Sequence, residues 1–134
     1  MLIAVASCKD SDLWDDVPGP AAEFINRYYP FSQLSSVTHN ASSYHVRIKD
    51  GPGITFDSDY AWTAVDGYGM PLPQVLLFDQ LPPKMYMYIQ ETEQLNAVFA
   101  ITRDPDVYTA SLLDDTLTYR IKDESLTLRD DPVG

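Results

Sequence analysis

The sequence predicts a protein of the α+β class, built from two tandem repeats that each contain a helix and a four-stranded antiparallel sheet. Three observations lead to this prediction. Two segments have the apolar spacing of short helices, eight segments have the alternating polarity of strands, and the same polarity pattern returns after about 64 residues. The chain has 134 residues, of which 45% are hydrophobic, so it is long and apolar enough to fold around a core.

Each predicted repeat begins with a short helix that a proline introduces. In the helix at 20–29, Pro20 occupies the first turn, where the missing N–H is not needed. The helix at 82–91 begins with prolines in the same way. We expect Phe24 and Tyr88, which occupy equivalent positions in the two repeats, to be the helix residues that anchor each unit.

Four predicted strands follow each helix. They lie at 33–39, 44–49, 53–57 and 61–66 in the first repeat, and at 96–103, 107–113, 116–122 and 125–129 in the second. Turn sequences such as Asp50-Gly51-Pro52-Gly53 separate them. Strands joined by such short loops pair in an antiparallel fashion, because a parallel connection needs a much longer crossover.

The repeat is visible when the chain is compared with itself. Residues 44–50 align with 108–114, residues 54–56 with 117–119, and residues 62–66 with 126–130. The matches keep the same order in both halves, which a chance similarity would not produce. We therefore predict repeats at 18–72 and 73–130, followed by a tail at 131–134.

The N-terminal segment resembles the lipobox of a bacterial lipoprotein. Small and aliphatic residues lead through Val5-Ala6-Ser7 to Cys8, the single cysteine of the chain, after which the sequence becomes polar. This pattern implies that residues 1–7 are the remnant of a signal peptide and that Cys8 carries the lipid. The alternative is a buried first strand at residues 2–6, with Cys8 as a core thiol.

Acidic residues dominate both the N-terminal region and the whole chain. Residues 8–17 are predicted to be an acidic tether, because aspartates recur among few apolar residues. The chain has 9 Lys and Arg against 20 Asp and Glu, a net charge of −11. Binding to nucleic-acid phosphates or to anionic membranes requires a basic footprint. We therefore predict no nucleic-acid partner, and membrane association only through the lipid on Cys8.

No residue pattern indicates a catalytic or metal site. Asp57-Ser58-Asp59 lacks the further oxygen ligand and the glycine of a calcium loop, so we interpret it as a hairpin turn. His39 and His45 do not have the spacing of a known zinc motif. The chain also lacks a Gly-x-Ser-x-Gly nucleophile elbow. We predict a protein without catalytic residues, metal or cofactor.

Strand alternation predicts that one face of the sheet is polar and basic, because side chains two positions apart on a strand share a face. The candidate binding face consists of His45, Arg47, Lys49, Thr55, Trp62, Arg120, Lys122 and Arg129. Five of the nine basic residues fall on this face, although the protein as a whole is acidic. Its function would be to bind an acidic protein, polysaccharide or peptide, and the alternative is an ordinary solvated sheet face.

Several of these segments together resemble a known family. The first helix with Tyr28-Tyr29-Pro30, the stretch Trp62-Thr63-Ala64-Val65-Asp66-Gly67, the turn Pro71-Leu72-Pro73 and a second helix after Leu81-Pro82 are similar to the PepSY-like, beta-lactamase-inhibitor-like proteins of Bacteroidetes. The resemblance covers residues 18–130. It implies tandem units of a helix and four strands, secretion or lipid anchoring, and no catalytic residues to carry over.

The combined prediction is a lipid-anchored, non-enzymatic binding module of the cell envelope, at the outer membrane on its periplasmic or exposed side. Its partner is an unidentified protein, bound in an inhibitor-like manner through the open sheet face. One alternative is an envelope accessory that binds glycan or peptide fragments, with Trp62 and the tyrosines stacking on sugars. A second is a small hydrolase, which a pocket with convergent polar groups would favour.

Overall fold

The computed structural model describes residues 13–130, which contain eight strands and three helices of seven residues or more. In chain order, the elements are α1 (Gly19–Tyr28), β1 (Leu34–His39), β2 (Ser43–Ile48), β3 (Gly53–Asp57), β4 (Trp62–Asp66), α2 (Gln74–Gln80), α3 (Pro83–Glu91), β5 (Ala100–Arg103), β6 (Val107–Ser111), β7 (Asp115–Arg120) and β8 (Ser125–Asp130). The predicted α+β class is confirmed.

Within each unit, strands that follow one another in the sequence are hydrogen-bonded neighbours in the sheet. Pairing is antiparallel within β1–β3 and within β4–β8. Antiparallel neighbours joined by short turns follow directly from the loop lengths of the sequence. The chain divides into two compact units between Thr63 and Ala64, and each unit is described separately below.

The core of the first unit lies between α1 and one face of β2 and β3. Ile25 of α1 is completely buried, as are Val46, Ile54 and Phe56 of the strands. The ring of Phe24 meets that of Phe56 edge-on, with 5.7 Å between the ring centroids. This contact places the apolar stripe of α1 against the apolar face of the two strands.

The core of the second unit draws on α2, α3 and the middle strands. Leu76 and Leu77 of α2 are completely buried, and so is Ile89 of α3. On the strands, Ile101 pairs with Ala110, and both are fully buried. Alternation therefore places Ile101 and Ala110 on one face of the sheet and Thr102 and Thr109 on the other.

Three sequence predictions about these elements need correction. Phe24 and Tyr88 are only half-buried, whereas their neighbours Ile25 and Ile89 are fully buried and are the true anchors of the two helices. Helix α2 was not predicted, because prolines and a short length made its segment resemble a linker. Strand β5 begins at Ala100 instead of residue 96, because residues 95–99 form no regular strand.

The predictions for the two ends of the chain lie only partly within the described residues. Cys8 and residues 1–7 lie outside the described residues, as does the predicted tail at 131–134. Of the predicted acidic tether, residues 13–17 are described; they contain a helical turn, and Val17 is 7% exposed. Burial of Val17 shows that the end of this segment belongs to the folded unit. None of the helices in residues 13–130 is long and apolar enough to cross a lipid bilayer.

Candidate functional site

In the first unit, the predicted binding residues on β2 and β3 share one polar face. His45 pairs with Thr55 across the two strands, and His45 Nδ1 lies 3.0 Å from Thr55 Oγ1. Both side chains are half-buried, as is Arg47. Lys49 is exposed and lies just after β2, where its backbone N–H donates to the carbonyl of Gln33.

Trp62 is placed differently from the prediction. It is only 2% exposed, because it lies in the core at the beginning of β4. A buried indole cannot stack on a sugar at the surface, so Trp62 does not belong to the binding face. Strand alternation alone does not reveal which face the rest of the chain covers, and an aromatic residue in a strand fits either side.

In the second unit, four threonines form a row across four neighbouring strands. Thr102 pairs with Thr109, Thr109 with Thr118, and Thr118 with Thr127. Residues that face each other across antiparallel strands point to the same side of the sheet. This row becomes visible only from the strand register, because alternation within one strand does not specify which residues face each other across strands.

Two arginines flank this row on the same face. Arg120 pairs with Ser125 and Arg129 pairs with Thr116, one step to either side of the threonine row. We call this surface the threonine–arginine face. It consists of Thr102, Thr109, Thr116, Thr118, Arg120, Thr127 and Arg129. Lys122, in contrast, lies in the turn after β7 and not on the strand, because β7 ends at Arg120.

The threonine–arginine face contains a shallow, open depression of about 420 Å³, lined by residues of β6, β7 and β8. The charged side chains that line it are Arg120 and Arg129. Arg120 Nε lies 3.9 Å from Asp123 Oδ1, and both side chains are 60% exposed. An exposed ion pair at this distance is weak, so Arg120 remains able to interact with an anion.

Asp123 owes its low pKa to the turn more than to this arginine. Hydrogen bonds from the Ser125 side chain and backbone hold the pKa of the Asp123 carboxyl below its usual range, and the Arg120 charge adds a smaller effect. The Ser125 N–H donates to Asp123 Oδ1 at 3.1 Å. The carboxylate therefore stabilises the β7–β8 turn at one end of the threonine–arginine face.

An aromatic cluster lies at the end of the β1–β2 hairpin in the first unit. The rings of His39 and Tyr44 stack with 4.2 Å between centroids, and Tyr60 meets Tyr44 edge-on at 5.4 Å. A hydrogen bond with Tyr60 raises the pKa of the Tyr44 phenol, with a further contribution from desolvation. These rings cover one another, which leaves less ring surface for a ligand.

The Asp57-Ser58-Asp59 segment forms the predicted turn. Asp57 Oδ1 accepts hydrogen bonds from the backbone N–H groups of Asp59 and Ala61, at 2.8 and 3.1 Å. These bonds engage the carboxylate in the turn itself. Within residues 13–130, no group of three or more His, Cys, Asp or Glu side chains is arranged to hold a metal ion.

An apolar patch on α2 and α3 was missed by sequence analysis because α2 was missed. Phe78 is 67% exposed and meets Tyr86 edge-on, with 5.3 Å between ring centroids. Together with Met87, these rings line a shallow groove in the second unit. The signal that could have revealed it is a pair of large apolar residues on the outer side of two adjacent short helices.

Comparison with solved structures finds proteins that share this fold. A structure described as a "putative calcium-regulated periplasmic protein" from Bacteroides thetaiotaomicron is similar, with a TM-score of 0.71 and 23% identity over 87% of this chain and 92% of that chain. Two "putative periplasmic" proteins from Bacteroides vulgatus are also similar, each with a TM-score of 0.70 and 19% identity over 87% of this chain and 92% or 94% of theirs. At these identities the similarity shows a shared fold.

The family itself follows from the sequence. The family model described as "Putative beta-lactamase-inhibitor-like, PepSY-like" matches residues 6–61 and residues 42–127. The chain therefore belongs to this PepSY-like family, as the resemblance in the sequence analysis implied. No curated protein matches the chain in sequence.

Proposed function

We propose that this protein is a non-enzymatic binding module of the bacterial cell envelope, which binds a partner protein in an inhibitor-like manner. The observation that carries the proposal is the threonine–arginine face of the second unit. It combines a row of four paired threonines with two exposed arginines, on an open sheet surface. The family description, which names inhibitor-like proteins, supports the same mode of binding.

The chemistry of this face is suited to binding. Threonine is β-branched, so its side chain has little rotamer freedom and loses little entropy when a partner covers it. Each hydroxyl can donate and accept a hydrogen bond. Arginine is enriched in protein interfaces and pairs well with carboxylates. An acidic partner surface would therefore complement the two arginines, although the whole chain carries a net charge of −11.

Location in the envelope and the lipid anchor are part of this proposal. The neighbouring solved structures are described as periplasmic proteins, which supports an envelope location. A lipid on Cys8 would hold the protein at the outer membrane. In cells that express the full-length gene, Cys8→Ser should move the protein from the membrane fraction to the soluble fraction without loss of folding. An unchanged distribution in immunoblots would contradict lipid anchoring.

We also propose that residues 18–72 and 73–130 are tandem repeats, although the two compact units divide earlier, between Thr63 and Ala64. Strand register supports this. In the first unit, Val37 pairs with Val46, which pairs with Ile54. In the second unit the corresponding row is Ile101, Ala110 and Leu117, and each member follows its counterpart by 63 or 64 residues.

The binding proposal is tested by replacing both arginines. Wild-type protein, immobilised, should capture a specific envelope protein from a detergent extract of the parent organism. The Arg120→Ser/Arg129→Ser variant should lose that protein, while its melting temperature stays within about 2 °C, because exposed charges contribute little to folding. The captured protein is identified by mass spectrometry and its affinity is then measured with purified components.

A matched control separates local recognition from net charge. Arg27→Ser/Lys84→Ser removes the same charge from exposed helix positions and should keep the partner. If the arginine variant of the threonine–arginine face holds the partner as tightly as wild type at low salt, the proposed binding face is wrong. If both double variants lose it equally, overall charge and not this face explains the binding.

A further inference from the structure

The last strand, β8, has an open hydrogen-bonding edge in the described part of the chain. β8 lies at the end of the strand order and pairs on its other side with β7. This pairing runs without interruption over six residue pairs, from Asp115↔Asp130 to Arg120↔Ser125. Backbone N–H and C=O groups of a regular edge strand point outward at alternate residues and can pair with another extended chain.

Several features that commonly protect an edge strand, namely proline, lysine, a bulge or a very short length, are missing from β8, although charged side chains lie at its C-terminal end. β8 is six residues long, its sequence is Ser-Leu-Thr-Leu-Arg-Asp, and its register with β7 shows no shift. In the first unit, by comparison, the register of β1 shifts between Leu34 and Ser36. β8 thus has the regular backbone that strand addition requires.

The side chains of β8 show what an added strand would encounter. Ser125, Thr127 and Arg129 pair with residues of the threonine–arginine face and therefore lie on that side of the sheet. Leu126 and Leu128 lie on the other side, and Leu128 is 45% exposed. One side of the edge thus carries polar and basic residues, and the other carries two leucines.

We propose that β8 accepts an extended peptide segment of a partner protein as an additional strand. The segment alternates acidic and apolar side chains, the acidic ones on the threonine–arginine face and the apolar ones beside Leu126 and Leu128. This inference rests on the proposed function, because it specifies which part of a partner the same region binds. Backbone hydrogen bonds to β8 hold the segment, and the alternating side chains select it.

Charge complementarity favours an acidic segment from another protein over a second copy of this chain. The depression on the threonine–arginine face extends to Thr127 and Arg129 on β8, and the charged groups that line it are both arginines. A second copy paired through β8 would bring a further arginine to this surface and another chain with a net charge of −11. At physiological ionic strength charges are screened beyond about 8 Å, so Arg129, and Arg120 with its exposed neighbour Asp123, influence this face more than distant acids do.

The test uses the full chain and synthetic peptides. An acetylated and amidated peptide of about eight residues that alternates Glu and Val should bind saturably in NMR titrations, and its Lys-Val analogue should not. Binding should slow the amide hydrogen exchange of alternate residues in β8. Arg129→Ser should weaken the Glu-Val peptide by about two- to fivefold, whereas Lys84→Ser, which removes an exposed charge on α3, should not change its affinity.

N-methylated peptides test strand addition itself. In an extended strand, N–H groups of alternate residues point to the same edge, so only one series of amides can pair with β8. A peptide methylated on all Glu amides and a peptide methylated on all Val amides should therefore differ in affinity. One of them should bind at least about tenfold more weakly than the parent peptide, and the other should bind like the parent.

The outcomes separate this inference from the proposed function. Equal binding of both methylated peptides, or no binding of the parent peptide, would overturn strand addition. Concentration-dependent dimers whose interface protects β8 would also overturn it in favour of a second copy. If strand addition fails while the arginine variant still loses the captured envelope protein, the proposed function stands without it. If that variant keeps the envelope protein, the proposed function itself fails.

Discussion

Gly67 lies where neighbouring carbonyl groups leave no room for a side chain. A Cβ atom at this position would collide with the carbonyl oxygen of Met70 and lie 3.0 Å from that of Phe99. The Gly67 N–H also donates to the Phe99 carbonyl at 2.8 Å, so the backbone cannot move away without losing this bond. We expect Gly67→Ala to lower the free energy of unfolding by about 1–3 kcal/mol in urea titrations.

Gly19 provides the matched control for this substitution. It is the first residue of α1, and apart from its two chain neighbours no atom lies within 4 Å of the position that a Cβ would take. Gly19→Ala should change the free energy of unfolding by less than about 1 kcal/mol, because alanine restricts the unfolded chain while Pro20 disfavours a helical conformation at the residue before it. Equal effects of the two substitutions would contradict the close backbone approach at Gly67.

Tyr29 makes folding stability depend on alkaline pH. Burial raises the pKa of the Tyr29 phenol well above its ordinary value of about 10. Its pKa is therefore higher in the folded than in the unfolded chain, so its stabilising effect is complete below pH 10 or so and declines as the pH rises further. Tyr29→Phe should flatten the loss of melting temperature as the pH rises above about 10.

The control for Tyr29 is Tyr68, which is 48% exposed. Tyr68→Phe removes one phenol but should retain the wild-type decline of melting temperature with alkaline pH. If the melting temperatures of both variants fall with alkaline pH in parallel with that of the wild type, other groups cause the loss of stability. Desolvation of Tyr29 is then not its source.

At the scale of secondary-structure elements, burial predicts which side chain of each proline-initiated helix contributes most to stability. Ile25 on α1 is fully buried, whereas Phe24 is half-buried and meets its aromatic neighbours edge-on. Ile25→Ala should cost about 2–5 kcal/mol of unfolding free energy, since it leaves a cavity in the core. Phe24→Ala should cost less than the roughly 3–5 kcal/mol typical of a fully buried phenylalanine.

Chemical denaturation of both variants measures this difference, with unchanged slopes as evidence that the unfolding transition itself is the same. A larger cost for Phe24→Ala than for Ile25→Ala would contradict the assignment of Ile25 as the anchor. Ile89 occupies the corresponding buried position in α3 and should show a comparable loss on truncation to alanine.

Strand positions were predictable because their signals are local. The predicted strand at 53–57 has the same bounds as β3, and those at 107–113 and 116–122 overlap β6 and β7. Alternating polarity and turn residues between strands carry this information within a few residues. Helix α2 lacked such a signal, because Pro71, Pro73 and Pro82 surround a segment of seven helical residues.

The candidate site could be predicted in part for the same reason. Alternation was sufficient to assign Arg120 and Arg129 to one face, because each lies on a regular strand. The row from Thr102 to Thr127 depends on how four strands align, which no local pattern specifies. Burial of Trp62 depends on the packing of the whole unit, so alternation alone could not remove it from the face.

At the scale of the whole molecule, the excess of acidic residues should weaken the folded state at low ionic strength. The chain has 20 Asp and Glu against 9 Lys and Arg, so like charges are held closer together in the folded than in the unfolded state. Salt screens this repulsion over distances of about 10 Å at 0.1 M ionic strength. Raising sodium chloride from about 10 to 150 mM should therefore raise the melting temperature.

The expected rise is roughly 2–5 °C, equal to about 1 kcal/mol for a chain of this length. Differential scanning calorimetry measures it, with sucrose at matched osmolarity as the control for effects other than screening. The charge-reducing variant Asp123→Ser is not suitable for this test, because Asp123 also accepts the Ser125 N–H in the β7–β8 turn. Asp59→Ser is the better charge-reducing variant for this test, because the side chain of Asp59 is exposed and lies in a turn outside the strands. A melting temperature that falls with salt would mean that favourable ion pairs outweigh the net repulsion.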